Sequence, residues 1–145
     1  MRNILYAFLL VGTSLFLGSC SKDEDTDGPS IELINPEENQ IVLTGNILKM
    51  TMSFKDGYGV RFYSYEIFHK DGIVPGEFTY KKEIEINVPA NEFEITPSVT
   101  IPIFNKDSIP TATGDYILRV LAVDWYNNSN YVDRTFKIEP NIVTE

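Results

Sequence analysis

Apolar side chains recur at every second position over much of this chain, and that rhythm selects strands over helices. Tyr116, Leu118, Val120 and Ala122 are interleaved with Ile117, Arg119, Leu121 and Val123, and Leu48, Met50, Met52 and Phe54 with Lys49, Thr51 and Ser53. Side chains two apart share one face of an extended strand, so each set marks a face turned towards a core. Tyr63, Tyr65 and Ile67 give a third such face against Ser64, Glu66 and Phe68. Ile31 and Leu33 open a first strand that Asn35-Pro36 ends. Residues 78–88, 93–96, 99–103 and 132–138 read as further strands, with 93–96 able to merge into its successor. Lys55-Asp56-Gly57-Tyr58-Gly59 reads as a turn, because its two glycines admit positive φ. No segment sustains a 3.6-residue period between caps, so no substantial helix is expected. Seven or eight short strands at this spacing predict an all-β, two-sheet antiparallel sandwich over residues 30–139, with 140–145 as a tail.

The strand that begins after Gly114-Asp115 narrows the fold. Two turn residues followed by Tyr116 on the inward parity resemble a tyrosine corner, in which the ring is buried and the hydroxyl bonds to nearby backbone. That device belongs to immunoglobulin-like sandwiches. The Cys–Trp–Cys pattern of antibody domains is missing, which leaves the cadherin-like and fibronectin-like branch.

The single cysteine, Cys20, cannot form an internal disulfide and stands at the end of an apolar run. Arg2 starts that run, Ile4 to Leu17 carry it, and Leu17-Gly18-Ser19-Cys20 closes it. Its length of roughly 14 residues falls short of the roughly 20 that span a bilayer as a helix. The quartet resembles the bacterial lipoprotein box, which implies a signal peptide over residues 1–19 and lipidation at Cys20. Acyl chains such as palmitate, at about 0.8 kcal/mol per buried methylene, would make that membrane anchor permanent. The competing reading is an N-terminal membrane helix with a buried cysteine. Ser21 after the lipidated residue implies the outer membrane by similarity to known lipoproteins. Asp23, Glu24, Asp25 and Asp27 resemble a surface-export signal of Bacteroidota lipoproteins, although a short acidic run is also an ordinary solvated linker. Residues 20–29 are expected to be a lipidated acidic linker with a mean reach of roughly 17–20 Å.

Residues 29–138 as a whole resemble a single-domain Bacteroidota surface lipoprotein family, catalogued as domain of unknown function number four-six-two-five. The likeness lies in Pro29-Ser30-Ile31, Phe54-Lys55-Asp56-Gly57, Ile101-Pro102, Gly114-Asp115-Tyr116 and Ala122-Val123-Asp124. These are turn and core motifs, so what they imply is a fold and an address rather than an activity. Such families often carry several histidines after the third strand, whereas this chain has His69 alone there.

Charge and motif content restrict function by exclusion. A net charge of −9 argues against a nucleic-acid partner, since phosphate binding needs a basic surface, and is in keeping with a soluble monomer. One histidine, one cysteine assigned to lipid and no glycine-rich phosphate loop argue against an enzyme. Glu83 and Glu85 share a strand face but alternate with Ile84 and Ile86, as a solvent face does.

Three sets remain as candidates. Asp56 and Asp124 fall in turns at the same end of such a sandwich, where cadherin-like domains hold calcium; an aspartate there ordinarily bonds to its own turn instead. Calcium is therefore the one cofactor to consider, in a calcium-dependent adhesin-like domain. Tyr58, Trp125, Tyr126, Asn127 and Tyr131 combine flat rings with an amide, the elements of a glycan-binding platform; alternatively Trp125 plugs the open end of the sandwich. Ser108, within Asp107-Ser108-Ile109, resembles an O-glycosylation acceptor of exported Bacteroidota proteins. The leading expectation is a non-catalytic outer-membrane or cell-surface lipoprotein, a binding or accessory module with an envelope protein or a glycan as partner. The first strand should start at the aromatic end, turning that end towards the membrane.

Overall fold

The computed structural model describes residues 26–142, and Cys20 with the apolar segment before it lies outside that range. Eight strands follow in order: β1 (Ser30–Asn35), β2 (Ile41–Leu43), β3 (Ile47–Lys49), β4 (Thr51–His69), β5 (Tyr80–Ile95), β6 (Ser98–Thr100), β7 (Gly114–Asp124) and β8 (Ser129–Glu139). No helix occurs among the described residues.

The fold is an immunoglobulin-like sandwich, and its two layers emerge from the register. The start of β4 pairs antiparallel with β1 (Phe54 opposite Ile31) and with the end of β5 (Phe54 opposite Phe93). The rest of β4 pairs with β7 on one side (Tyr65 opposite Val120) and with the start of β5 on the other (Tyr63 opposite Ile84). β7 continues to β8, and β2 closes the far edge by running parallel to β8. The β3–β6 pair extends the first layer, joined through the Met50 N–H to the Pro97 carbonyl at 2.9 Å.

Where the glycine pattern suggests a turn, the chain instead passes between layers without leaving the strand. Residues 56–59 of β4 lie between the Lys55–Glu92 and Val60–Ala90 pairs and so oppose Asn91 alone. β5 returns the excess next to Arg61, where residues 86–89 bulge out. Gly59, at φ +92°, makes the crossing possible because a Cβ there would lie 2.9 Å from the Pro89 side chain. The separate strand expected at 93–96 is accordingly the end of β5.

The inward faces meet in one core. Leu48, Met50, Met52 and Phe54 from one layer pack on Tyr63, Tyr65, Ile67, Leu118, Val120 and Phe136 from the other. Phe54 sits at the crossing, with its ring 5.0 Å from Tyr63 and 4.9 Å from Phe93. Burial raises the Tyr65 hydroxyl to about 12, aided by neighbouring Tyr80.

The tyrosine corner is present. Tyr116 is fully buried; its hydroxyl donates to the Ala112 carbonyl at 2.8 Å and accepts from the Phe78 N–H at 3.3 Å. One phenol thus ties the segment before β7 to the segment before β5, and its polar tip is satisfied in the core.

Candidate functional site

At the end of the sandwich where β1 begins, both candidate metal carboxylates are engaged by backbone N–H groups close in sequence. Asp124 is completely buried; its Oδ1 accepts from the Tyr126 N–H at 2.7 Å and the Asn128 N–H at 2.8 Å, and its Oδ2 from the Asn128 amide at 2.8 Å. Asp56 Oδ1 accepts from the Tyr58 N–H at 2.8 Å. Asp124 closes its own turn, whereas Asp56 bonds two residues ahead inside β4, not in the turn expected there. A cation at Asp124 would have to displace three donors, and no group of three or more His, Cys, Asp or Glu is placed to hold a metal among the described residues.

The five candidate binding residues divide into two places. Tyr58 and Tyr126 meet edge-to-face at this pole, with centroids 5.0 Å apart and planes at 76°, so they form a corner rather than a flat shelf. Asn127 holds the tip of the same loop in a left-handed conformation, φ 70°. Trp125 and Tyr131 belong to the outer face of the larger layer. Trp125 is 40% exposed and does not plug the sandwich; it borders a groove of about 300 Å³ with Arg61, Phe62, Glu85, Ile86 and Asn87.

A second groove, of about 240 Å³, adjoins the first through Phe62. Its floor is Phe62, Ser64 and Leu121, and its rim includes Tyr131, which is 58% exposed. The Arg119 guanidinium lies 5.1 Å from the Tyr131 ring centre and 5.4 Å from that of Phe68. It also makes a two-pronged pair with Asp133, both bonds at 2.8 Å, which raises its basicity further. Across the groove, Lys81 pairs with Glu83 at 2.6 Å, and that hydrogen bond raises the ammonium's pKa. Glu66 stands between these pairs, opposite Lys81 on one side and Arg119 on the other.

Phe62, Ser64, Glu66, Arg119 and Leu121 escape a reading of the sequence alone because register, not proximity along the chain, gathers them. A signal was present nonetheless: Phe62, Phe68 and Leu121 put apolar side chains on outward parity, where a solvent face ordinarily carries polar ones. Glu83 and Glu85 are solvent-exposed on that outer face.

The remaining candidates lie elsewhere. His69 is buried edge-on against Tyr116; its ring Nδ1 accepts from the Asp71 N–H at 3.2 Å, and its backbone N–H donates to the Glu77 carboxylate at 3.1 Å. It locks the end of β4 rather than facing solvent. Ser108 sits at φ 61° in an exposed turn that Asn105 organises by accepting from the Asp107 and Ile109 N–H groups. Gly28 and Pro29, at the end of the stretch expected to be linker, pack on the domain: a Cβ on Gly28 would lie 2.6 Å from the Ser129 backbone, and Pro29 is buried.

Among solved structures, the chain is similar to fibronectin(III)-like modules of Clostridium thermocellum CbhA, at 16% identity over 79% of this chain and 100% of that one, with a TM-score of 0.46. A β-glucosidase from Listeria innocua matches at 13% identity over 80% of this chain and 17% of its own, TM-score 0.43. The sporulation control protein Spo0M from Bacillus subtilis matches at 13% identity over 79% of this chain and 50% of its own, TM-score 0.42. No curated protein matches the sequence. Residues 18–139 match the family described as Domain of unknown function (DUF4625), which covers most of the sequence, and the chain belongs to that family.

Proposed function

We propose that this chain is a non-catalytic binding or accessory module of the Gram-negative envelope, anchored in the outer membrane through a lipid on Cys20 and displayed at the cell surface. The observation that carries the reading is the position of that cysteine. It closes a short apolar segment after Gly18-Ser19 and is followed by an acidic stretch leading into a single sandwich domain. The family match begins at residue 18, so Cys20 lies inside the region the family shares.

The domain's side chains support a binding role over catalysis. The sole histidine is occupied inside the core, and Glu83, one of the two carboxylates that share a strand face, is paired with Lys81. Gly28 lies against Ser129, so the chain from the anchor enters at the pole that bears Tyr58 and Tyr126. That pole is then the one nearest the membrane and suited to a neighbouring envelope protein, while the outer face of the larger layer stays accessible from the side.

Metabolic labelling with an alkyne-tagged palmitate in a Gram-negative host tests the anchor. The expected result is label on the wild-type chain and none on Cys20→Ala, with the labelled chain sensitive to protease added to intact cells. An unprocessed cytosolic polypeptide with a titratable thiol would sink the proposal.

A further inference from the structure

The geometry points to a binding site for a neutral, hydroxyl-rich oligosaccharide in the trough formed by the two adjoining grooves on the outer face of the larger layer. It rests on the binding-module reading above and gives that reading a ligand class, but it needs no lipid on Cys20.

The trough lies over β4, whose backbone is paired with β5 on one side and with β7 on the other. No N–H or C=O row is left there to receive a peptide by strand addition, so side chains must do the recognising. Three rings line it: Tyr131, Phe62 and Trp125. Leu121, opposite Tyr131, is three residues, roughly 10 Å of extended strand, from the end of β7, and Trp125 lies one residue beyond that end, so the trough suits an elongated ligand. Each groove taken singly is at or below the lower end of the usual small-molecule pocket, roughly 300 Å³.

The charges decide the kind of ligand. Arg61, Lys81 and Arg119 are matched by Glu66, Glu83 and Glu85, so the lining is neutral as a whole. A polyanion would meet three carboxylates on a protein already at net −9, and a polycation would meet three fixed cations. Ligand hydroxyls, which both donate and accept, suit such a mixed lining: carboxylates accept from them, and guanidinium and ammonium groups donate to them. The apolar faces of sugar rings suit the three aromatic side chains. The Arg119 guanidinium holds the Tyr131 ring from one side, which fixes the ring in advance of binding.

The chain has one tryptophan, so its fluorescence reports on the trough directly. The full-length chain in detergent would be titrated with cellohexaose, xylohexaose and mannohexaose, with hexagalacturonate and a proline-rich peptide as comparisons. The expected result is a saturable change in Trp125 emission with at least one neutral hexasaccharide. Calorimetry should then give about tenfold weaker binding for Tyr131→Ala and for Trp125→Ala. Tyr131→Phe, which keeps the ring, should bind as wild type does, as should Glu94→Gln on the other layer. Glu83→Gln should weaken binding while leaving the melting temperature in place, which separates lost recognition from lost fold.

Several results would overturn the assignment. One is silence with all three neutral sugars at millimolar concentration. Another is preference for hexagalacturonate or for the peptide, and a third is a loss with Tyr126→Ala in place of Tyr131→Ala. A chain that takes up palmitate but binds no sugar loses this site and keeps its anchor. A chain that binds sugar but takes up no palmitate does the reverse.

Discussion

Tyr116 and Tyr131 stand on opposite faces of the same layer, and their settings show how differently one residue type can be used. Tyr116 faces inward, is fully buried, and has its hydroxyl bonded to two stretches of backbone. Tyr131 faces outward, more than half exposed, with a guanidinium against its ring. The inner face is accounted for by folding, because every ring on it fills space or closes a loop. The outer face carries rings and matched charges that the core does not require. Substitutions on the two faces should therefore differ in kind.

The largest separation should come from replacing each tyrosine with alanine. Tyr116→Ala leaves a large cavity and frees the Phe78 N–H, so it should cost about 4 kcal/mol in denaturant unfolding. Tyr131→Ala should cost less than about 1 kcal/mol, the worth of an exposed cation–π contact. Equal losses would erase the distinction between the faces.

A smaller effect tests whether the Asp124 loop is held by its own carboxylate. Asp124→Ala removes the acceptor of three hydrogen bonds and should cost about 2 kcal/mol, with the same loss whether calcium or a chelator is present. A loss that appears only in calcium would show that a cation had replaced those donors.

The mildest test is alkaline. Burial raises the Tyr65 hydroxyl from its ordinary 10.0 to about 12, so the folded state keeps a proton that the unfolded chain releases earlier. The stability tied to that proton is complete below pH 10 and declines as pH rises through the interval to about 12. Melting temperature followed across that interval should fall, and Tyr65→Phe should flatten the fall.

The core was legible in the sequence because alternation is a local property. Leu48, Met50, Met52, Phe54, Tyr116, Leu118, Val120 and Ala122 are buried as their parity requires. The tyrosine corner was legible too, since Gly114-Asp115-Tyr116 carries its own turn chemistry. The crossing at residues 56–59 was half legible: the glycines mark a break, but whether a chain turns back or changes layer depends on partners distant in sequence. β2 left no trace, being three residues long and held by a parallel pairing with β8. The trough was least legible, because Phe62, Glu83, Leu121 and Tyr131 meet only through the registers of four strands. Trp125 and Tyr126 are adjacent in sequence and so read as one group, yet they lie on different parts of the surface.

Gly28 bears on how a molecule tethered at Cys20 would sit. Its backbone is pressed so tightly against Ser129 that a methyl group would collide with the main chain. Eight residue steps separate it from the cysteine, at most about 29 Å of stretched polypeptide. If Cys20 carries the proposed lipid, a leash clipped down at that point would keep the sandwich close to the lipid surface and would set which pole hangs lowest. A bulkier residue at position 28 would unclip it and lengthen the radius the domain can sweep.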